Sequence, residues 1–179
     1  MSEPVSETRT PNVSFERERG VYATQVTRDV AHAVVSVGDD ALRSSRILQL
    51  FRILAEANIP IFLIKMHRSA VTFAMAGADV ARAEAALASA GLKAKTRHDL
   101  AIVAVRASSM RDLSGIMVAI ADALYSVGAR LYGTGDSHNS VQCLIDGERV
   151  QAAIQALCQK FHLEGQAAEE ASLKTEGAA

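Results

Sequence analysis

The chain contains one pattern of sequence elements twice, and this internal repeat constrains its fold more than any other feature. The segment from Val34 to Met75 holds a short β-branched run, a polar loop, an amphipathic helix and two more apolar runs. The segment from Ile102 to Ile145 holds the same elements in the same order. Such self-similarity predicts two copies of one structural unit within the chain.

Each copy is predicted to fold as a βαββαβ unit. The first helix of the first copy has apolar residues at the i, i+3, i+4, i+7 spacing of one buried face, namely Ile47, Leu50, Phe51 and Leu54. Ser44 or Ser45 is its predicted N-cap. The run Ile59 to Met66 is apolar enough for a strand buried on both faces. The predicted class is therefore α+β, with two tandem βαββαβ (ferredoxin-like) units that have antiparallel sheets and helices on one face.

The two predicted units comprise residues 21–100 and 101–164. Polar segments flank them, and their composition predicts a disordered N-terminal arm (1–20) and a disordered tail (165–179). Val21–Thr27 and Ala31–Val37 are predicted to be two strands, joined by a turn at Arg28-Asp29. Little chain remains for a fourth strand in the second unit. The segment 21–27 therefore either completes its own unit or supplies the missing edge of the second.

Composition excludes several classes of protein. The chain has 179 residues and a formal charge of −1, which argues against a nucleic-acid partner bound by bulk charge. No apolar run approaches the roughly 20 residues of a membrane-spanning helix, and the polar N-terminus does not resemble a signal peptide. Cys143 and Cys158 are too few for a disulfide framework. We therefore predict a cytoplasmic protein with no membrane partner.

No pattern of catalytic or metal-binding residues stands out. The histidines lack metal-ligand spacing, and no nucleophile, base and acid are brought together by their positions in the sequence. We predict no enzyme activity, no metal and no cofactor. The strand Leu92–His98 is basic because it contains Lys93, Lys95 and Arg97, and a solvated sheet edge guarded against aggregation explains that charge.

The order of these elements resembles the tandem ACT domains in the C-terminal regulatory region of aspartate kinases. The similar stretches are GVYATQV, VAHAVVSVG, LFRILAEANIPIFLI, SMRDLSGIMVAIADAL and SVQCLI. The resemblance covers about Val21 to Leu163 and includes no kinase catalytic domain. It implies ACT-type units that bind a free amino acid, lysine or threonine above all, where two units meet. It also implies an aspartate kinase-type partner enzyme, and the open sheet faces lead us to expect a homodimer or higher assembly.

The predicted ligand site is the loop before the first helix of each copy, because free N–H groups at a helix N-terminus favour a carboxylate. Arg43 and Arg111 could clamp that carboxylate, or they could be solvated loop arginines. The predicted loop residues are Asp40, Ala41, Leu42, Arg43, Ser44 and Ser45 in the first copy and Ser109, Met110, Arg111 and Asp112 in the second.

The two copies differ in the side chains around this loop. Phe62 stands where the family often has an acid facing the ligand amine, and Met66 and His67 replace a Ser/Thr-rich turn. The second copy offers Thr134, Asp136 and Ser137, which would form a more polar pocket. Two hypotheses follow. The chain is either an amino-acid sensor, with the occupied copy left open, or an interaction subunit with a degenerate site that mediates oligomerisation only.

Overall fold

The computed structural model describes residues 20–108, 114–163 and 168–171, which form four α-helices and seven strands. The predicted α+β class is confirmed. In chain order the elements are β1 (Val21–Ser36), α1 (Arg43–Glu56), β2 (Phe62–Met66), β3 (Ala70–Ala76), α2 (Val80–Ser89), β4 (Ala94–Ala107), α3 (Ile116–Ser126), β5 (Leu131–Asp136), β6 (Ser140–Asp146), α4 (Val150–Lys160) and β7 (Glu169–Glu170).

The strands form one sheet in the order β2-β3-β1-β4-β6-β5, and β7 lies beside β1. The pairs along this order are antiparallel. β1 and β4 have 16 and 14 residues, so each is long enough to run through both units. The order β2-β3-β1-β4 with helices α1 and α2 is that of one βαββαβ unit. The order β5-β6-β4-β1 with helices α3 and α4 repeats it.

The predicted turn at Arg28-Asp29 is wrong, because these residues lie inside the single strand β1. Thr27 pairs with Ile102 and Val30 with Leu100, so β1 has one extra residue between the two pairs. This is a β-bulge, and Asp29 in it has a φ of 55°. A polar Arg-Asp pair between apolar runs is typical of a turn, so the sequence pattern predicts a turn where the structure has a bulge.

β4 carries the matching bulge. Val30 pairs with Leu100 and His32 with Arg97, so here the extra residue belongs to β4. Asp99, in this bulge, has a φ of 58°. An aspartate tolerates this left-handed conformation better than most residues, and one occupies each bulge.

The segment 21–27 of β1 pairs with residues 102–107 of β4 and takes the position of the fourth strand in the second unit. The second half of β1 pairs instead with β3 and with the start of β4. The boundary between residues 100 and 101 stays a prediction, since β4 crosses it without interruption.

Two of the three hydrophobic clusters lie between sheet and helices. Helices α1 and α2 cover the first, in which Leu50, Leu54 and Phe73 are almost completely buried. Helices α3 and α4 cover the second, around Leu124 and Leu157.

The third cluster fills the space between the helix-free faces of the two units. Its centre contains Ala74 of β3 and Leu144 of β6, and Phe62, Leu63 and Tyr132 pack against it. Because β3 and β6 belong to different units, their helix-free faces pack against each other. The helices therefore lie on the outside, and the edge strands β2 and β5 meet where Leu63 reaches Gly135.

Two predictions about the first unit are wrong. β2 is an edge strand that pairs with β3 along this sheet, and its residues Ile64 and Met66 are 43% and 66% exposed. An apolar run in the sequence does not distinguish a buried strand from an edge strand whose apolar side chains are exposed to solvent. The N-cap of α1 is Leu42 without a side-chain cap, and the Ser45 hydroxyl donates to the Leu42 carbonyl at 2.7 Å.

The predicted terminal segments 1–20 and 165–179 lie outside the described residues, apart from Gly20 and 168–171. Within the latter, β7 pairs in parallel with Gln25 and Val26 of β1. The longest of the described helices, α1, has 14 residues, and none of them is long and apolar enough to cross a membrane.

A glycine packs against each bulge. A Cβ on Gly77 would lie 3.1 Å from the carbonyl oxygen of Asp29, and one on Gly147 would lie 2.6 Å from that of Asp99. Both glycines begin the short 3₁₀ turn that leads into the second helix of their unit. The backbone of the bulge therefore leaves no room for a side chain, above all at Gly147.

Gly147→Ala should lower the free energy of unfolding by roughly 1–3 kcal/mol, the usual cost of forcing extra atoms into a packed site. Gly77→Ala should cost less, because its contact is longer. Urea denaturation of both variants measures the difference. Gly133→Ala is the control, since a Cβ there meets nothing within 4 Å. An unchanged midpoint for Gly147→Ala would contradict the tight packing at the bulge.

Candidate functional site

A cavity of about 340 Å³ lies in the second unit between the start of α3 and the end of β5. Thr134 and Asp136 pair with Cys143 and Val141 of β6, whose side chains belong to the core under α3 and α4. Residues paired across a sheet share a face, so Thr134 and Asp136 also face the helices. The lining residues are Ile116, Met117, Thr134, Gly135, Asp136 and Val141.

The cavity combines groups that favour opposite charges. The first N–H groups of α3 have no partner within the helix, and its N-cap, Gly115, provides no side-chain oxygen for them. They favour an anion. The exposed carboxylate of Asp136 favours a cation, and Thr134 adds a hydroxyl. This arrangement suits a small zwitterion, and the volume is at the lower end of the range for small-molecule sites.

The predicted residues of the second copy divide into three groups. Thr134 and Asp136 line the cavity. Ser137 lies in the following turn, where its hydroxyl is 2.8 Å from that of Ser140. Ser109, Met110, Arg111 and Asp112 lie outside the described residues.

Sequence reasoning missed Ile116 and Met117 as lining residues. Both belong to the apolar stripe of α3, and such a stripe indicates only a side that faces the core. Their place in the first turn of the helix, next to the predicted ligand loop, was the signal that could have identified them.

In the first copy the charged side chains of the equivalent loop and of the first turn of α1 bond to nearby groups of the same unit. Arg43 donates from Nε to the carbonyl of Arg68 and from Nη2 to that of His67, both at 2.8 Å. Arg46 donates to the Asp40 carboxylate at 3.0 Å and to the Val37 carbonyl at 3.1 Å. Arg43 therefore holds the β2–β3 turn against the loop, and its guanidinium is already engaged.

The strand beside this loop is apolar in the first copy. Met66 pairs with Val71 in the last position before the β2–β3 turn, as Asp136 pairs with Val141 before the β5–β6 turn. Two residues earlier, Ile64 corresponds to Thr134. Both apolar side chains are exposed. The first copy thus has an apolar surface where the second has polar groups around a cavity.

The other predicted residues of the first copy do not form one site. Phe62 pairs with Ala74 in the space between the units, four residues and roughly 13 Å along β2 from Met66. Ala41 and Ser44 are exposed. The structure brings Asp40, Leu42, Arg43 and His67 to one end of this unit and places Phe62 elsewhere.

Cys143 lies opposite Thr134 in the sheet, on the side of β6 that faces the core. Burial raises the pKa of its thiol to about 11. The neutral thiol is a poor nucleophile, so Cys143 acts as a small apolar core residue.

The Arg46 side chain beside Asp40 holds the pKa of that carboxyl below its ordinary value of 3.8, and the Leu42 N–H acts in the same direction. Because the pKa is lowered on folding, the pair stabilises the fold above the pKa of the unfolded chain. That contribution is lost as the pH falls through the folded value.

Arg46→Gln should therefore raise the pKa of Asp40 toward 3.8. NMR titration of the Asp40 carboxyl carbon measures the change. Arg52→Gln, an exposed position on the same helix, is the matched control and should leave the pKa unchanged. An Asp40 pKa that stays the same in Arg46→Gln would contradict the role given to this ion pair.

Residues 95–159 match the family model of the ACT domain. No curated protein sequence matches the chain significantly. Among solved structures, the ligand-free regulatory subunit of aspartate kinase from Thermus thermophilus superposes with a TM-score of 0.70 at 22% identity, covering 80% of this chain and 99% of that one. The regulatory subunit from Thermus flavus gives a TM-score of 0.69 at 22% identity, with the same coverage.

A longer chain is also similar over one part. Aspartokinase III from E. coli, in complex with lysine and aspartate, gives a TM-score of 0.64 at 18% identity. The match covers 82% of this chain but 34% of that protein. At these identities the likeness establishes a shared fold.

Proposed function

We propose that this chain, which has the fold of the ACT-type regulatory subunits of aspartate kinase, is a non-catalytic regulatory module that senses a free amino acid. The cavity between α3 and β5 carries the proposal. It combines the N–H groups at the start of a helix with an acidic side chain, and an amino acid needs both.

In the proposed complex the ligand carboxylate accepts hydrogen bonds from the N–H groups at the start of α3. The ligand ammonium pairs with Asp136, and Thr134 provides a hydroxyl. Ile116 and Met117 supply apolar contact for the ligand side chain. We propose lysine or threonine as the ligand, since each has an aliphatic part and a polar side-chain group.

Regulation requires that the ligand bind one arrangement of the protein better than another. The cavity is suited to this because α3 and β5 are separate elements that a ligand would join. We propose that this closure alters the association of the chain with an aspartate kinase-type enzyme. The coupling is reciprocal, so the enzyme would also change the affinity for the amino acid.

A thermal-shift screen of the free amino acids tests the proposal. Lysine or threonine at a hundredfold excess over its Kd should stabilise the native state by about 2.7 kcal/mol. Asp136→Asn should abolish most of the shift, because it removes the charge that pairs with the ammonium. Glu56→Gln, on an exposed position of α1, is the matched control and should retain it.

A screen without any stabilising amino acid would contradict the sensor function. A shift that survives in Asp136→Asn would place the ligand outside the cavity.

The first copy favours a second function, self-association. Ile64 and Met66 are exposed on the edge strand β2, and Leu42 at the start of α1 is 58% exposed. Exposed apolar groups along a sheet edge are typical of a surface that another chain covers. We propose that a second copy of the chain covers it in a homodimer. If the amino-acid screen is negative, oligomerisation alone is the remaining function.

Ile64→Lys should shift the protein toward the monomer, because the lysine would have to be buried without a partner. Analytical ultracentrifugation over a range of concentrations measures the shift. Val118→Lys is the matched control, since Val118 is 64% exposed on the other unit. Equal dissociation in both variants would contradict an interface centred on β2.

A further inference from the structure

The helix-free face of the first unit carries an unusual concentration of positive charge. In β1, His32 and Val34 alternate with the core residues Ala31, Ala33 and Val35, so they point away from the helices. In β4, Thr96 bonds Glu84 of α2, so Lys95 and Arg97 point away as well. We give the name basic face to the helix-free positions 32, 34, 36, 65, 70, 72, 93, 95 and 97, which lie outside the part that the second unit covers around Phe62 and Ala74.

The strand register places these cations in rows across the sheet. One row contains Lys65, Thr72, Val34 and Lys95, in that order. Its ends are three strand spacings apart, roughly 14 Å. The lysines therefore stand at both edges of a less polar centre.

The charge of the basic face is largely uncompensated. None of its positions is acidic, although the whole chain has a formal charge of −1. Arg97 stacks on Tyr132 at 4.9 Å and lies near Asp146 of the second unit. Among the described residues Lys65, Lys93 and Lys95 have no ion pair.

The basic face ends at an open sheet edge. β4 pairs with β6 only from Leu100 to Arg106, so the segment 94–98 has β1 on one side and no described strand on the other. Its outward backbone groups can therefore pair with an added strand. Every second side chain of that strand would project on the same side of the sheet as the basic face, next to Lys93, Lys95 and Arg97.

We propose that this edge and the basic face bind an extended segment of a partner protein in which acidic residues alternate with neutral ones. The surface is separate from the amino-acid cavity, which lies on the helix side of the second unit. Lysines on a sheet edge repel a second copy of the same edge, so Lys93 and Lys95 also protect this edge against aggregation. Lys65 lies on the edge strand β2, where the same repulsion applies.

Fluorescence anisotropy with a labelled peptide of alternating glutamate and threonine, about ten residues long, tests the proposal. The peptide should bind the full chain, and affinity should fall with added salt, because the Debye length is about 8 Å at 0.15 M. A peptide with glutamine for glutamate should not bind. A peptide of the same composition, with its glutamates in one block, should bind more weakly.

Lys93→Glu/Lys95→Glu should weaken binding at least about tenfold, since charge reversal replaces attraction by repulsion. Arg52→Glu/Arg149→Glu, on exposed positions outside the basic face, changes the net charge equally and should bind like the unmodified chain. Circular dichroism should show that both variants are folded.

Three results would overturn the proposal. Absence of binding would leave a charged edge that only guards against aggregation. Equal weakening in both double variants would indicate attraction by net charge. Displacement of the peptide by inorganic tripolyphosphate at equal total charge would indicate a small-anion site.

Discussion

The antiparallel pairing of β1 with β4 is the constraint on which the rest of the molecule depends. Each strand passes through both units, and the second unit has no complete sheet without residues 21–27 from the start of the chain. The bulges at Asp29 and Asp99 add one residue to each strand and reverse which side chains face the helices. This reversal lets Val26 face α3 and α4 while Ala31 faces α1 and α2. As a result the two helix-free faces pack together and leave the helices outside.

The shared frame lets two copies of one unit serve different purposes. Equivalent ends of β2 and β5 lie beside the start of α1 and α3, but one presents Ile64 and Met66 and the other presents Thr134 and Asp136. In the first copy Arg43 and Arg46 bind groups of their own loop and turn, which fixes the position of both side chains. The difference between apolar and polar side chains at matching positions supports a ligand site in one copy and a contact surface in the other.

Much of this architecture could be predicted because it rests on periodicity and repetition. Leu50 and Leu54 fall on the buried face of α1, as their spacing required. The bulge at Asp29 could not be predicted, since an Arg-Asp pair between apolar runs is equally typical of a turn. The exposure of β2 depends on its place at the edge of the sheet, and the apolar side chains of Ile64 and Met66 do not predict that place. For the site, Thr134 and Asp136 were identified by their polarity, whereas Ile116 and Met117 look like ordinary core residues in sequence.

The most direct test of the sensor function is an NMR titration with isoleucine, methionine and valine methyl groups labelled. Lysine and threonine would be added in separate titrations. The account predicts that one of them shifts the methyl signals of Ile116, Met117 and Val141, which line the cavity, and leaves Ile64 and Met66 unchanged. Shifts at Ile64 and Met66 alone would contradict the account. So would the absence of any shift at millimolar ligand, a concentration at which even weak binding is detected.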